Sequence, residues 1–428
     1  MFHRRLRIAL LAHEFLINIG ANDFLKNLIR GLSYNPDIEL IFLCPRSNER
    51  IEAAVGADVK ARLARVPYIK RLLRTSARTL APMTDLLIRN QPSEYDFYAE
   101  ASPEPMEFIS CETHADALLK LQAEKNIDLF MPSIHVLPKA LPYLTYWPDA
   151  QPKYYPEFFD DDAQRVRDER IAGLLASGRP MIINSRAAKA DMQKFYKADP
   201  KQVFDLPFAP IIEFDKMVPR PELVRKYHQH RDYFIVCNQF WIHKSLETVI
   251  RAARIAKDQG LGVDFLFTGR MEEPRKPGYI ESLRALVREL GVEDCVKLLG
   301  YIPKGDQIEL MKASIAVIQP TLFEGGPGGG SVYDAICVGK RAIVSDIPIN
   351  HELPLNDSSV TLFRQKDPVD LIAKIKQVMA TPYDPPRIED LYQSSNAFRR
   401  RLSKRLDEAI EFALAVTETA KAELATAP

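Results

Sequence analysis

Short apolar runs alternate with amphipathic stretches along most of this chain. The runs 7–12, 39–44, 128–134 and 181–184, and later 233–238, 263–268, 296–299, 315–319 and 342–345, are rich in apolar residues throughout, as strands covered on both faces are. Between many of them, apolar positions recur at helical spacing in 21–32, 114–125, 187–196, 245–259, 279–290, 305–312 and 332–338. Strand followed by helix, repeated, predicts right-handed crossovers and parallel sheets with helices on both faces. The alternation comes in two blocks, and Pro207, Pro210, Pro219 and Pro221 cluster where the first ends. Two doubly wound α/β domains are expected, 1–213 and 214–386, joined near Phe214. After Tyr383-Asp384-Pro385-Pro386 the pattern is helical only, so the segment 387–428 is expected to pack back across the first domain.

Composition agrees and narrows the partners. A length of 428 residues exceeds what one hydrophobic core usually serves. With 58 basic against 57 acidic residues there is no global field to draw a polyanion, so nucleic acid is not an expected partner. Cys44, Cys111, Cys237, Cys295 and Cys337 lie far apart beside apolar runs, which reads as buried, reduced thiols. The apolar run 8–12 is short for a signal sequence and is interrupted by His13 and Glu14, and no stretch of eighteen apolar residues occurs. A cytoplasmic protein is expected. In 60–89, Lys60, Arg62, Arg65, Lys70, Arg71, Arg74, Arg78 and Arg89 stand against one acid, Asp85. That stretch suits peripheral contact with an anionic membrane at its inner face; a solvated helix face or a surface for an anionic acceptor are the alternatives.

Ligands of open parallel sheets bind beyond the carboxyl ends of the strands, so the residues after each run deserve the closest look. After 315–319 comes Pro320-Thr-Leu-Phe-Glu-Gly-Gly-Pro-Gly-Gly-Gly-Ser-Val-Tyr-Asp-Ala335, with a helix expected from about Ser331. Glycines 325, 326, 328, 329 and 330 are costly in chain entropy unless the backbone needs unusual angles or close approach. Bare amides at a helix start make a seat for a diphosphate. Glu324 is placed to accept from sugar hydroxyls and Asp334 from ribose hydroxyls. The plainer reading is a surface loop with a serine cap. After 233–238 comes Lys244, near another helix start, where an ammonium would neutralise phosphate charge; alone, a lysine there is more often a solvated side chain, and its weight comes from lying on the same sheet edge as the glycine loop.

Taken in order, Asn-Gln-Phe-Trp-x-His-Lys at 238–244, Phe-Thr-Gly at 267–269, Leu-Gly-Tyr-Ile at 299–302, the Phe-Glu-Gly loop, and Val-Ser-Asp-Ile-Pro at 344–348 resemble glycosyltransferase family 4. The first half resembles it more weakly, through Ile19-Gly20-Ala21-Asn22, the stretch 147–159 and Asn184-Ser185. The resemblance implies the GT-B fold, with two Rossmann-like domains facing across a cleft. It also implies transfer of a sugar, with retention, from a UDP- or GDP-linked donor to a glycan or lipid-linked acceptor, in the manner of cell-surface polysaccharide synthesis. By position, Glu324 would contact the donor sugar, Asp334 the ribose and Lys244 the phosphates. Gly20 would approach the diphosphate; Gly325, Gly326, Gly328 and Ser331 would lie in the loop that offers amides; and Tyr301 and Ile302 would meet the nucleobase. Gln239 stands where many members carry an arginine on the diphosphate, and Asp149 falls on the acceptor side. No metal or cofactor is implied, and Asp160-Asp161-Asp162 reads as the start of a solvated helix.

Four departures accompany the resemblance. Nine residues separate Glu324 from Asp334 where the family has seven, the second acid is Asp, Gln239 replaces an arginine, and Pro152 follows Gln151 where one branch has a histidine. A nucleotide-sugar 2-epimerase of the same fold, or a non-catalytic binder of nucleotide sugars, are the rival readings.

Overall fold

The computed structural model describes residues 4–15, 19–45, 96–207, 209, 220–228, 231–326, 329–355 and 359–426. The first sheet contains β1 (Leu6–Leu11), β2 (Ile38–Pro45), β3 (Glu107–Cys111), β4 (Leu129–Ser133), β5 (Tyr143–Tyr146), β6 (Met181–Ile183) and β7 (Val203–Asp205), in the order β3-β2-β1-β4-β5-β6-β7. The second contains β8 (Tyr233–Cys237), β9 (Asp264–Thr268), β10 (Val296–Gly300), β11 (Val317–Gln319), β12 (Ala342–Ser345) and β13 (Val360–Phe363), in the order β10-β9-β8-β11-β12-β13. Every recorded strand pairing in both sheets is parallel. Each sheet therefore winds one way from its first strand and then back, with the reversal between β1 and β4 and between β8 and β11. Such a reversal opens a crevice at the strand ends.

The reason is visible in the strands. β4, β5 and β9 are buried at every residue, so both faces need helical cover. In the second sheet α5 (Leu246–Asp258), α6 (Tyr279–Glu289) and α9 (Pro368–Ala380) supply part of it through Val249, Ala253, Leu283, Leu371 and Ile375. In the first, α1 (Ile19–Leu32) brings Leu25, Leu28 and Ile29 to the core. The last helix, α10 (Ile388–Thr426), adds Leu402, Leu406, Ala409, Ile410 and Ala413 to that same core, so the tail does cross back to the first domain. The remaining helices used below are α2 (Ala115–Lys125), α3 (Asp161–Ala176), α4 (Arg186–Tyr196), α7 (Lys304–Ala313) and α8 (Gly329–Cys337).

Several elements differ from the sequence expectation. β3, β5, β7, β13 and helix α9 were not expected. α8 opens at Gly329, two residues before Ser331, so the glycine loop is partly helix. Gly20, expected in a turn ahead of the first helix, stands inside the first turn of α1. Asp160 caps α3 by accepting from the Ala163 amide, with Asp161 and Asp162 in the first turn, as the helix-start reading expects. Phe214, Gly328 and the basic stretch 60–89 lie outside the described residues. Among the described residues, no helix is long and apolar enough to cross a membrane, and no group of three or more His, Cys, Asp and Glu is arranged to hold a metal ion.

Candidate active site

The crevice between β8 and β11 brings together the two segments singled out in the sequence. Beyond β8 the chain makes a short 3-10 turn, Ile242–Lys244, and then enters α5. Beyond β11 it runs through 320–326 to the start of α8. The two paths are tied at the backbone: the Leu322 amide donates to the His243 carbonyl at 2.7 Å, and the Thr321 hydroxyl donates to the same oxygen at 3.2 Å. That tie sets the Lys244 ammonium against Glu324, to whose Oε1 it donates. The side chains of this ion pair are 10% and 9% exposed. Gln319 Nε2, from the end of β11, donates to the same Oε1 at 2.9 Å. Both protein donors thus converge on one oxygen of Glu324, while Oε2 faces the glycine loop, 3.1 Å from where a Cβ on Gly329 would stand. Gly329 has φ +56°, so both its backbone and its surroundings favour a residue without a Cβ.

The other candidates surround this pair. Ser331 lies in the first turn of α8 with its hydroxyl buried, and the side-chain nitrogen of Asn238 is buried just past β8; neither has a hydrogen-bond partner among the described residues. Asp334, one turn further along α8, accepts from the Lys304 ammonium at the start of α7. Desolvation pulls the Lys304 pKa down, but the carboxylates of Asp334 and Asp23 outweigh it and leave it raised. Asp23 belongs to α1 of the first domain, and its carboxylate comes within 3.8 Å of a Cβ placed on Gly330, so the two domains meet over the start of α8. Gln239 is committed to its own neighbourhood, its Oε1 accepting from the Arg270 amide at 3.0 Å. Tyr301 is exposed beyond β10, with the Arg270 guanidinium 6.0 Å from its ring centre, whereas Ile302 is buried. Gly325 faces Asp149 and Pro148 of the first domain, and Gly326 faces Asn184. Gly20, at the head of α1, is on the element that carries Asp23.

Three comparisons with known proteins bear on this arrangement. No curated protein matches the chain by sequence. The family profile described as "Glycosyl transferases group 1" matches residues 223–398, which contain Lys244, Glu324 and Asp334. Residues 223–398 thus match a glycosyltransferase domain, and the two facing parallel sheets are the GT-B fold. Solved structures agree on the fold over the chain's whole length. A glycosyltransferase from Rickettsia africae is similar at 13% identity, with 98% of this chain and 99% of that one covered and a TM-score of 0.55. Sucrose-phosphate synthase from Thermosynechococcus elongatus is similar at 14% identity, with 99% and 100% covered and a TM-score of 0.59. HepE of Anabaena, solved with UDP, is similar at 14% identity, with 99% and 100% covered and a TM-score of 0.53.

The structure adds residues that sequence reasoning missed. Lys304 was two positions past Ile302, on a strand-end segment already under suspicion, but nothing in its spacing announced a partnership with Asp334. Arg275, in the loop after β9, donates to both oxygens of the fully buried Glu273 and packs its guanidinium against His243 Nδ1 at 3.1 Å. Its charge lies within 6 Å of Trp241 and of Phe158 and Phe159 from the first domain. Burial, with Lys244 and Arg275 adding to it, pushes the His243 pKa down to about 2, so this imidazole stays neutral and serves as an acceptor.

Proposed function

We propose that this enzyme is a retaining transferase of the family 4 type, which moves a sugar from a nucleotide diphosphate donor to a glycan or lipid-linked acceptor. The observation that carries the reading is the buried Lys244–Glu324 pair at the β8/β11 reversal, beside a glycine-rich helix start. A lysine has three protons to donate, and one is taken by Glu324, so two remain for phosphate oxygens. The amides opening α8 and the helix dipole add further positive potential at the same place. Departure of a nucleoside diphosphate builds negative charge there, and fixed donors in a poorly hydrated site stabilise it without reorganising. Glu324, held from one side through Oε1, keeps Oε2 for a sugar hydroxyl. The buried Ser331 hydroxyl and Asn238 amide supply further polar partners, since burying such groups unpaired is costly.

Asp334 would hold the ribose, Tyr301 and Ile302 the base, and Asp149 would face the acceptor. The reading needs no cofactor or metal beyond the donor itself. A uridine donor is the first to try, because the similarly folded HepE is solved with UDP-glucose; a guanosine donor is the second. Synthesis of cell-surface polysaccharide is the setting that fits a glycan acceptor, and WaaG, also similar in fold, takes part in lipopolysaccharide biosynthesis. A thermal-shift panel of UDP, GDP and their sugars tests the reading. A ligand at a hundred times its Kd stabilises the folded state by about 2.7 kcal/mol, so one member of the panel should raise the melting temperature clearly. No shift with any of them would remove the donor site from consideration.

A further inference from the structure

The loop that carries Glu324 is gripped residue by residue from the other domain. The hydroxyl of Tyr155 donates to the Leu322 carbonyl at 3.2 Å. The ring of Tyr154 lies 5.6 Å from that of Phe323. Asp149 Oδ2 and the Pro148 carbonyl stand 3.2 Å from where a Cβ on Gly325 would be, and Asn184 3.6 Å from one on Gly326. Residues 322 and 323 are thus contacted by the first domain, and 325 and 326 lie close against it. Glu324, in their midst, turns the other way toward Lys244 and Gln319.

The grip is itself held firmly. Asp149 Oδ1 accepts from the Gln151 amide at 2.9 Å, the Trp147 indole donates to the Asp149 carbonyl at 2.9 Å, and the Tyr155 ring stacks on Phe158 with centres 5.3 Å apart. On the second domain's side Gln365 also donates to the Leu322 carbonyl, at 2.7 Å, so that oxygen is clamped by one group from each domain.

We propose that the first-domain segment 147–159 is an interdomain brace, with Tyr155 a positioning residue that holds Glu324 in register with Lys244. The brace joins the acceptor-side domain to the donor site's acid, so the two are aligned only when the domains are closed on each other. Its catalytic consequence rests on the donor-site reading above, but the contact itself does not.

The test uses the full chain with Tyr155→Phe, which keeps the stack on Phe158 and removes only the hydroxyl, and Gly325→Ala, which sets a methyl against Asp149 and Pro148. Hydrogen exchange of the peptide covering 320–326 should quicken in both variants, with exchange in β9 unchanged. Hydrolysis of the donor sugar found in the thermal-shift panel should slow by about fivefold in Tyr155→Phe, the scale of one hydrogen bond. Affinity for UDP, which the donor-site reading seats mainly on the second domain, should stay within twofold in Tyr155→Phe. Unchanged exchange at 320–326 in both variants overturns the brace, whatever the donor is. A loss of UDP affinity in proportion to the loss of turnover overturns the positioning role, because it makes Tyr155 part of the donor seat. Failure of the unmodified protein to bind any nucleotide diphosphate would instead count against the donor site and leave the exchange result to decide the brace.

Discussion

At the scale of single residues, the site depends on a buried ion pair whose members are worth little apart. Removing one partner of such a pair strands the other charge in a poorly hydrated place, which costs about 3–5 kcal/mol, whereas neutralising both can cost little. Lys244→Met and Glu324→Gln should therefore each lower stability in urea by about that amount, and the double variant should recover most of it. Activity should behave differently. Each single variant should lose about a hundredfold in transfer, the scale of one charge-stabilising contact, and the double variant should regain none of it. Near-normal turnover in either single variant would defeat the assignment. Lys244 and Glu324 were legible in the sequence because both follow apolar runs that had to be strands of one sheet. Their direct contact was not legible. It depends on the His243–Leu322 backbone bond, made by residues whose side chains advertise nothing. Arg275 and Lys304 stayed hidden for a related reason: a cation in a loop has no periodicity, and only its three-dimensional partner gives it meaning.

At the scale of elements, the sequence reading succeeded where burial was two-sided and faltered at the edges. β3 and β7 end the first sheet and β13 ends the second, and an edge strand needs less apolar cover. β3 alternates half-buried and exposed residues up to its buried last one and β7 is only three residues long, so neither makes a continuous apolar run. β5 is interior and buried throughout, but its four residues, bracketed by Pro142 and Pro148, make too short a run to stand out. The glycine loop was read correctly as special, while its boundary with α8 was not, because glycines give no helical signal even where the chain is helical. Under the proposed donor-site reading, that boundary matters to function. At Gly329 a methyl group would meet Gln319 Nε2 at 3.0 Å and Glu324 Oε2 at 3.1 Å, and the positive φ would be strained as well. Gly329→Ala should cost about 1 kcal/mol from the backbone alone. If Glu324 holds the donor sugar as proposed, displacing its carboxylate should slow donor hydrolysis by about tenfold, since small misplacements of a positioning group are costly. Comparing melting temperature with turnover checks this; a loss of stability without a loss of rate would show that the carboxylate has room to move.

At the scale of the whole molecule, the chain order and the domain order do not coincide. The polypeptide finishes the second sheet at β13 and then returns in α10 to complete the core of the first domain. The contact is close. A Cβ on Gly31 would stand 2.9 Å from Leu402 and Leu406, so α1 and α10 approach each other through a residue that has no side chain to separate them. Arg179, buried beside β6, reaches α10 through Thr417, and Arg405 of α10 donates to Asp205 at 2.8 Å. The first domain is therefore unfinished until the last helix has docked, and closure across the cleft is built on a fold that spans both ends of the chain. Leu406 is fully buried in this contact, and truncating it to Ala should cost about 2–5 kcal/mol. The loss should be felt in the first domain and not in the second. Hydrogen exchange should accelerate in β4 and β5, against which α10 packs, while β9 and β11, at the heart of the second sheet, keep their protection. Equal acceleration in both sheets would mean that the two domains unfold as a single unit, with the Tyr155–Leu322 hydrogen bond and the approach of Asp23 to the start of α8 strong enough to bind their stabilities together.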